Sequence, residues 1–276
     1  MVALNINKND EIEFLCKEIR KNILYAGFSA GVKSAHIGGA LSIVEIISVL
    51  FGKIMNFNPK NLLDETRDRF ILSKGHACLA LYSVLAEKGF FEKSELENFE
   101  KSGSFLLGHP VMNREKGIEF STGSLGMGLS LGIGLAKASK LKKNNNQIFI
   151  LLGDGECNEG SVWEGALLAS HLNLENLTVI IDRNNFQQTG TSSEILNLDN
   201  LYSKWESFGF YTLEVNGHNT NDLLSTFRDN SNKKKPKAII ANTIKGKGLS
   251  FAENNNDWHH SILTKKNYEI ALKEID

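Results

Sequence analysis

Two short apolar runs constrain this chain more than any other feature in it. Ile148 to Leu152 and Leu177 to Ile181 lack the polar alternation of a strand with one wet face, so each reads as a strand buried on both sides. Between them, Gly160 to His171 carries a helical pattern. Strand, helix, strand in that order is a βαβ unit, which runs its two strands parallel and sets their tips side by side. The alternation continues downstream: Asp199 to Phe208 helical, Tyr211 to Val215 extended, Asn221 to Arg228 helical, Ala238 to Ala241 a strand, and Thr264 to Glu274 an amphipathic closing helix. The pattern predicts an α/β fold, a parallel sheet with helices on both faces.

Upstream, Glu11 to Ala30 places Ile12, Leu15, Ile19, Ile23 and Leu24 at helical spacing and ends near Gly31. Ile43 to Phe51 reads as a second apolar helix, Phe70 to Leu72 as a short strand running into Ser73-Lys74-Gly75-His76, and Ala77 to Lys88 as a helix. Gly123 to Lys140 reads as a helix whose four glycines from Gly126 to Gly134 imply close packing against a neighbouring backbone. No internal repeat or linker interrupts the chain, which predicts one domain over residues 1–276 with an N-terminal helical layer.

Composition excludes several function classes. Lys plus Arg number 31 against 32 Asp plus Glu, so no basic excess points to nucleic acid, and the run Lys233 to Lys235 beside Pro236 reads as a solvated turn. No apolar stretch reaches the ~18 residues of a membrane helix. The N-terminus lacks the basic and apolar regions of a secretory signal. Cys16, Cys78 and Cys157 are odd in number and lack CxxC spacing, so neither a disulfide framework nor a zinc site is expected, and a reducing cytoplasm fits. GxSxG, GxxxxGK[ST], HExxH and GxGxxG are absent. Trp163, Trp205 and Trp258 read as packing.

In open α/β sheets, ligands bind beyond the carboxyl ends of the strands. Here one strand runs into Gly153-Asp154-Gly155 and its neighbour into Asp182-Arg183-Asn184-Asn185. Asp154 and Asn184 would offer a carboxylate and a neutral oxygen to one point, the oxygen-only donors that Mg²⁺ takes beside a polyphosphate. The flanking glycines and the following helix N-terminus suit a diphosphate. A plain turn explains the glycines alone, but not the second tip. His36, His76, His109 and His259 each sit at a loop or element end. Any one of them has a structural reading, whereas together they could shuttle protons among sugar hydroxyls and an oxyanion. His171 and His218 read as structural, and His260 reads either way.

GDGECNEGSVWEG followed by DRNNFQQTG resembles the thiamine diphosphate signature of transketolases. SAHIGGALS, LSKGHACLALYSVLAEKGFF, GHPVMN, STGSLGMGLS and TIKGKGLSF follow the same family's order, and the resemblance spans about Lys17 to His259. It matches the N-terminal, diphosphate-binding half, as in transketolases made of two polypeptides. The resemblance implies a thiamine diphosphate-binding fold, Mg²⁺ on Asp154, Asn184 and the carbonyl of Phe186, and a cofactor lying against His76, Gly126, Gly153, Gly155, Glu156 and His259. It implies catalytic roles for His36, His76, His109 and His259 around the thiazolium. Glu159 would lie at the dimer axis, supported by Glu164. The pattern departs from the family at Ile37 (usually Pro), Met127 (usually Gln), Asn185 (often Gly) and His260 (often Gly).

The implied activity is ketol transfer from a ketose to an aldose, or between their phosphates. Competing readings are a deoxyxylulose-phosphate-synthase-like half, a 2-oxo-acid dehydrogenase E1-like half, and a non-catalytic cofactor-binding subunit. The four histidines and the TIKGKG order favour the sugar enzyme. The family's aminopyrimidine glutamate sits on a pyrimidine-binding domain, and about thirty residues follow Lys247, fewer than the ~50 of a small domain. A C-terminal partner chain in an α₂β₂ assembly is therefore expected, with Ile43–Phe51 and Gly123–Lys140 as candidate docking faces.

Overall fold

The structure, a computed structural model, describes residues 8–232 and 234–276. Lys233, the first of the basic run, and residues 1–7, on which the expectation about a leader partly rests, lie outside the described residues.

The chain opens with α1 (Lys8–Ser29), then α2 (Gly38–Leu41) and α3 (Val44–Val49), the last continuing into a π-helical turn over Leu50–Ile54. β1 (Arg69–Leu72) and α4 (Cys78–Glu87) follow, then a long irregular stretch to α5 (Met127–Leu141). From there strands and helices alternate: β2 (Ile148–Gly153), α6 (Gly160–His171), β3 (Leu177–Arg183), α7 (Ser192–Ile195), α8 (Leu201–Ser207), β4 (Tyr211–Asn216), α9 (Thr220–Arg228), β5 (Lys237–Asn242) and α10 (Lys265–Ile275). The five strands form one parallel sheet in the order β1-β2-β3-β5-β4.

Successive strand side chains point to opposite faces, and each face has its own core. Phe70, Leu72, Phe149, Leu151, Ile180 and Ile239 pack toward α1, α3, α4 and α9. Ile71, Ile150, Leu152, Val179, Ile181 and Ile240 pack toward α5, α6 and α8. Double burial explains why the strands carry no polar alternation. Trp205 fills the second core between Trp163 and Phe210, and Trp258 packs on Phe251. No helix among the described residues is long and apolar enough to cross a membrane.

Two expectations need correction. Ile43–Phe51 is not a docking face: every residue in it is buried within this chain. A segment apolar on all sides belongs inside a core, and this one fills the space beneath α1 and α4. Nor is Gly123–Gly126 helical. Gly123 and Gly126 have φ of 148° and 81°, so the helix starts at Met127 with Gly126 as its left-handed cap.

The glycines of α5 differ in purpose. A Cβ on Gly132 would overlap Cδ1 of buried Ile150 and lie 2.7 Å from its Cγ1, so the helix rests on β2 there. A Cβ on Gly134 meets nothing within 4 Å. Overpacking costs about 1–3 kcal/mol, whereas replacing an exposed helix glycine with alanine gains up to ~1 kcal/mol. Gly132→Val should lower the melting temperature by roughly 3–10 °C, and Gly134→Ala should raise it by roughly 2–4 °C. Equal shifts in a thermal melt would contradict this packing.

Candidate active site

β2 and β3 pair in register up to Gly153 opposite Asp182, and Asp154 N–H then donates to Asp182 O at 3.1 Å. Beyond that point the β2 chain turns sharply through Gly155–Asn158 into α6. Asp154 is 4% exposed. Its Oδ1 accepts from Gly155 N at 2.9 Å, and its Oδ2 accepts from Asn185 N at 2.9 Å and Ser192 Oγ at 3.0 Å. The two tips therefore touch. Burial, then the neighbouring Asp182 charge, push the Asp154 carboxyl up to about 6. Asn184 is turned by its own amide: Nδ2 donates to Asp182 Oδ2 at 2.7 Å, and Oδ1 accepts from Phe186 N at 3.0 Å.

Beneath the tips lies a buried ion pair. Lys74 Nζ meets Asp182 Oδ2 at 2.5 Å and also donates to Gly39 O at 2.8 Å and Ser42 Oγ at 3.3 Å. Asp182 accepts further from Ser42 Oγ and Thr243 Oγ1. Burial alone would raise the Asp182 carboxyl, but the Lys74 ammonium outweighs it and holds it low. Asp182 is therefore compensated within the chain, and Asp154 is not.

Glu156, also buried, ties the glycine loop to the β2 tip, accepting from Ser73 Oγ and Gly126 N on Oε1 and from Gly153 N on Oε2. Its carboxylate is engaged by the protein. Gly126 shapes the cleft from behind, since its N–H is engaged by Glu156 and its Cβ position abuts Ser161 Oγ and Glu159 Cβ. Gly123 and Leu125 line the cleft in its place.

The cleft measures about 480 Å³. Of the residues singled out from sequence, His36, His76, His109, Gly153, Asp154, Gly155, Glu156, Glu159, Asn184, Phe186 and His259 line it. Glu164 lies exposed on α6, and His171 is exposed at that helix's end. His218 is bonded on both nitrogens, Nδ1 to Glu45 at 2.9 Å and Nε2 accepting from Ile244 N at 2.8 Å, a structural role.

His36 is the hub of the imidazoles. Its ring centroid lies 5.6 Å from His76, 5.6 Å from His109, 5.4 Å from His259 and 4.3 Å from His260. His260, a departure from the family pattern, thus backs His36 and also meets Ser34 Oγ. Burial is the leading cause that lowers three of these rings: His36 to about 3, His259 to about 4, and His76 well below the usual histidine value. Neighbouring rings and the Lys74 and Lys245 charges add to it.

Sequence reasoning missed Lys74, Asp182, Lys245, Asn158 and Gln187. Lys74 and Lys245 stand inside the motifs SKGHA and TIKGKG, and Asp182 begins DRNN, but linear spacing does not show which polar groups a fold buries together. Asn158 Oδ1 and Gln187 Nε2 are buried at the cleft with no hydrogen-bond partner among the described residues. They fit a polar ligand resting there. The donor set also fits a hard divalent cation: one uncompensated carboxylate and one oriented amide oxygen beside a main-chain turn. No group of three or more His, Cys, Asp or Glu converges among the described residues, so a cation here would need the ligand's oxygens as well, as Mg²⁺ does beside a polyphosphate.

Residues 19–275 match the family described as "Transketolase, thiamine diphosphate binding domain". The chain is 40% identical over 268 residues to one of the two apulose-4-phosphate transketolase chains of Phocaeicola vulgatus, covering 96% of this chain and 94% of that one. It is 38% identical to the 6-deoxy-6-sulfo-D-fructose transketolase subunit SqwG of a Clostridium species, covering 96% of each. Against human transketolase it is 38% identical over 93% of this chain but 41% of the human protein. In three dimensions it matches the Leishmania mexicana transketolase with a TM-score of 0.87 at 28% identity, over 94% of this chain and 40% of that one.

A carboxyl raised to about 6, above its unfolded value, costs stability once ionised. The cost is absent below about pH 4 and full above about pH 7. The lowered histidines act in the opposite pH direction, so the difference between wild type and Asp154→Asn isolates the carboxylate. Without metal at pH 7.5, Asp154→Asn should be the more stable by about 1–3 kcal/mol, with the gap closing toward pH 4. Mg²⁺ with thiamine diphosphate should raise the melting temperature of wild type only. A variant that responds as wild type does would remove Asp154 from the site.

Proposed function

The chain belongs to the transketolase family, in its thiamine diphosphate-binding part, and on that premise we propose that it is the N-terminal chain of a split transketolase. It is a transketolase-type transferase, moving a two-carbon ketol unit from a ketose or its phosphate to an aldose or its phosphate. One observation carries the site reading: the uncompensated Asp154 carboxylate touches the Asn184 tip at one end of a cleft whose wall is built of imidazoles.

When bound, thiamine diphosphate supplies the carbon nucleophile and the electron sink that carbon–carbon cleavage needs. The residues do the rest. Asp154, Asn184 and the Phe186 carbonyl would hold Mg²⁺, and through it the diphosphate. The glycine turns at Gly153 and Gly155 let that end approach the backbone. His36, His76 and His259 stay neutral at physiological pH because they are buried. A neutral ring has one N–H donor and one acceptor nitrogen. Such rings bind sugar hydroxyls and pass a proton between hydroxyl and carbonyl oxygens without burying a charge. His109 would join them, and Glu159, at the exposed edge of the cleft, would face a neighbouring chain.

The partner we infer is a C-terminal, pyrimidine-binding chain in an α₂β₂ assembly. Two features support it. The relatives matched over nearly their whole length are named as subunits. The α5–α6 side of the molecule exposes Leu125, Met127, Leu141, Leu167 and Leu168, with Leu141 at 72% and Leu167 at 63%. Three free, buried cysteines support a cytoplasmic site of action.

Purified alone with thiamine diphosphate and Mg²⁺, the chain should show no ketol transfer, and adding the partner should restore it. In the mixture, His76→Ala and His259→Ala should lower kcat/KM for the ketose by roughly 10²-fold or more, with cofactor affinity little changed. His218→Ala should leave the kinetics unchanged and reduce stability instead. Full activity of the isolated chain, or equal effects across the three variants, would overturn this reading.

A further inference from the structure

Lys245 lies at the start of a compact loop that returns to the cleft at His259. Gly246 N–H donates to Gly38 O at 3.0 Å, and Asn254 N–H donates to Lys245 O at 2.9 Å, closing the loop on itself. Asn255 caps the tight turn Asn256–His259 through Asp257 N–H at 3.1 Å. The backbone of His259 is thereby fixed, and its ring remains to be oriented.

Lys245 is 2% exposed, and its Nζ has three neighbours: Gln187 O at 3.1 Å, Asn256 Oδ1 at 2.6 Å and His259 Nδ1 at 3.0 Å. The first is a carbonyl and can only accept. The second is also an acceptor, because Asn256 Nδ2 donates to Gln188 O at 2.8 Å and so fixes which way the amide faces. An ammonium has three N–H donors and no lone pair. If Lys245 is charged, its third proton must go to His259 Nδ1, and the ring's own proton must sit on Nε2. A neutral amine would have only two protons, both taken by the oxygens, and would accept from Nδ1–H instead. The tautomer of His259 thus reports the state of Lys245.

We propose that Lys245 is a positioning residue for His259: its ammonium holds the ring in the Nε2–H tautomer, so that His259 meets the cleft as a neutral hydrogen-bond donor and not as a base. Two further observations agree. Burial, then the Lys74 charge, lower Lys245 only to about 8, which leaves it largely protonated near neutrality, and His259 at about 4 is uncharged there. Nε2 has no partner among the described residues, while the ring lines the cleft. The transketolase reading enters only in what the donor meets, an oxygen of the sugar or of the cofactor. A fixed donor polarises such an oxygen, so any proton abstraction falls to His36, His76 or His109, whose rings no lysine orients among the described residues.

The test is a long-range proton–nitrogen correlation spectrum of the full-length chain, labelled with ¹⁵N-histidine, at neutral pH without cofactor. His259 is assigned by its absence in His259→Gln. The expected wild-type pattern is pyridine-type Nδ1 and pyrrole-type Nε2. Lys245→Met should move both signals toward the averaged positions of a tautomer mixture, and Lys245→Arg should restore the wild-type pattern. In the assembled enzyme, Lys245→Met should lower kcat/KM roughly tenfold, about the value of one hydrogen bond to a charged group. A protonated Nδ1 in the wild-type spectrum overturns the proposal whether or not any variant folds, and so does an unchanged spectrum in a folded Lys245→Met. Absence of ketol transfer with the expected tautomer present would count against the transferase reading alone.

Discussion

Lys74 and Asp182 meet 2.5 Å apart beneath the tips of β1 and β3, with side chains 1% and 0% exposed. A pair this deep adds little net stability by itself, but removing one partner leaves a charge buried alone, at a cost of about 3–5 kcal/mol. Its value is geometric. Lys74 follows β1, Asp182 ends β3, Thr243 follows β5, and Gly39 and Ser42 belong to the N-terminal helical layer. One knot therefore fixes three strand ends against the layer that covers them. Asn184 is oriented by the same carboxylate, so the amide that faces the cleft is set by the buried pair.

The contrast between two neighbouring aspartates follows from this arrangement. Asp182 has its counter-charge inside the chain, whereas Asp154, a strand away, has hydrogen bonds but no cation. Around them the histidines are kept neutral by burial and by the charges of Lys74 and Lys245. The fold thus concentrates lysine charge below and beside the cleft, keeps its imidazoles uncharged, and leaves one carboxylate wanting a metal. That division suits an anionic diphosphate at the Asp154 end and a polyhydroxylated substrate among the rings.

The parts legible in the sequence are those with a local physical signature. Doubly buried strands show as unbroken Ile, Leu and Val, and α6 is bounded correctly at Gly160 and His171 because amphipathic spacing and a following polar turn mark both ends. The strand tips carrying Asp154 and Asn184 follow from the βαβ rule. Less is legible where side chains meet across the fold. Ile43–Phe51 is apolar on nearly every face, so no period reveals the break at Ser42–Ile43 or the π-helical turn after Val49, and its apolarity suggests a docking surface where the fold has a core. Gly126 resembles helix in sequence because only the observed φ of 81° shows that it ends the loop instead. Lys245 reaches His259 only through a loop closed by backbone hydrogen bonds, which residue spacing does not reveal.

The account rests on a cation at the Asp154 tip, and diffraction from the assembled enzyme carrying thiamine diphosphate and Mn²⁺, recorded at the manganese absorption edge, tests it most directly. One anomalous peak should appear at coordination distance, about 2–2.3 Å, from Asp154, Asn184 Oδ1 and the Phe186 carbonyl, with the Lys74–Asp182 pair intact beneath. A bound diphosphate whose metal lies elsewhere, with Asp154 still bonded only to Gly155, Asn185 and Ser192, would contradict it.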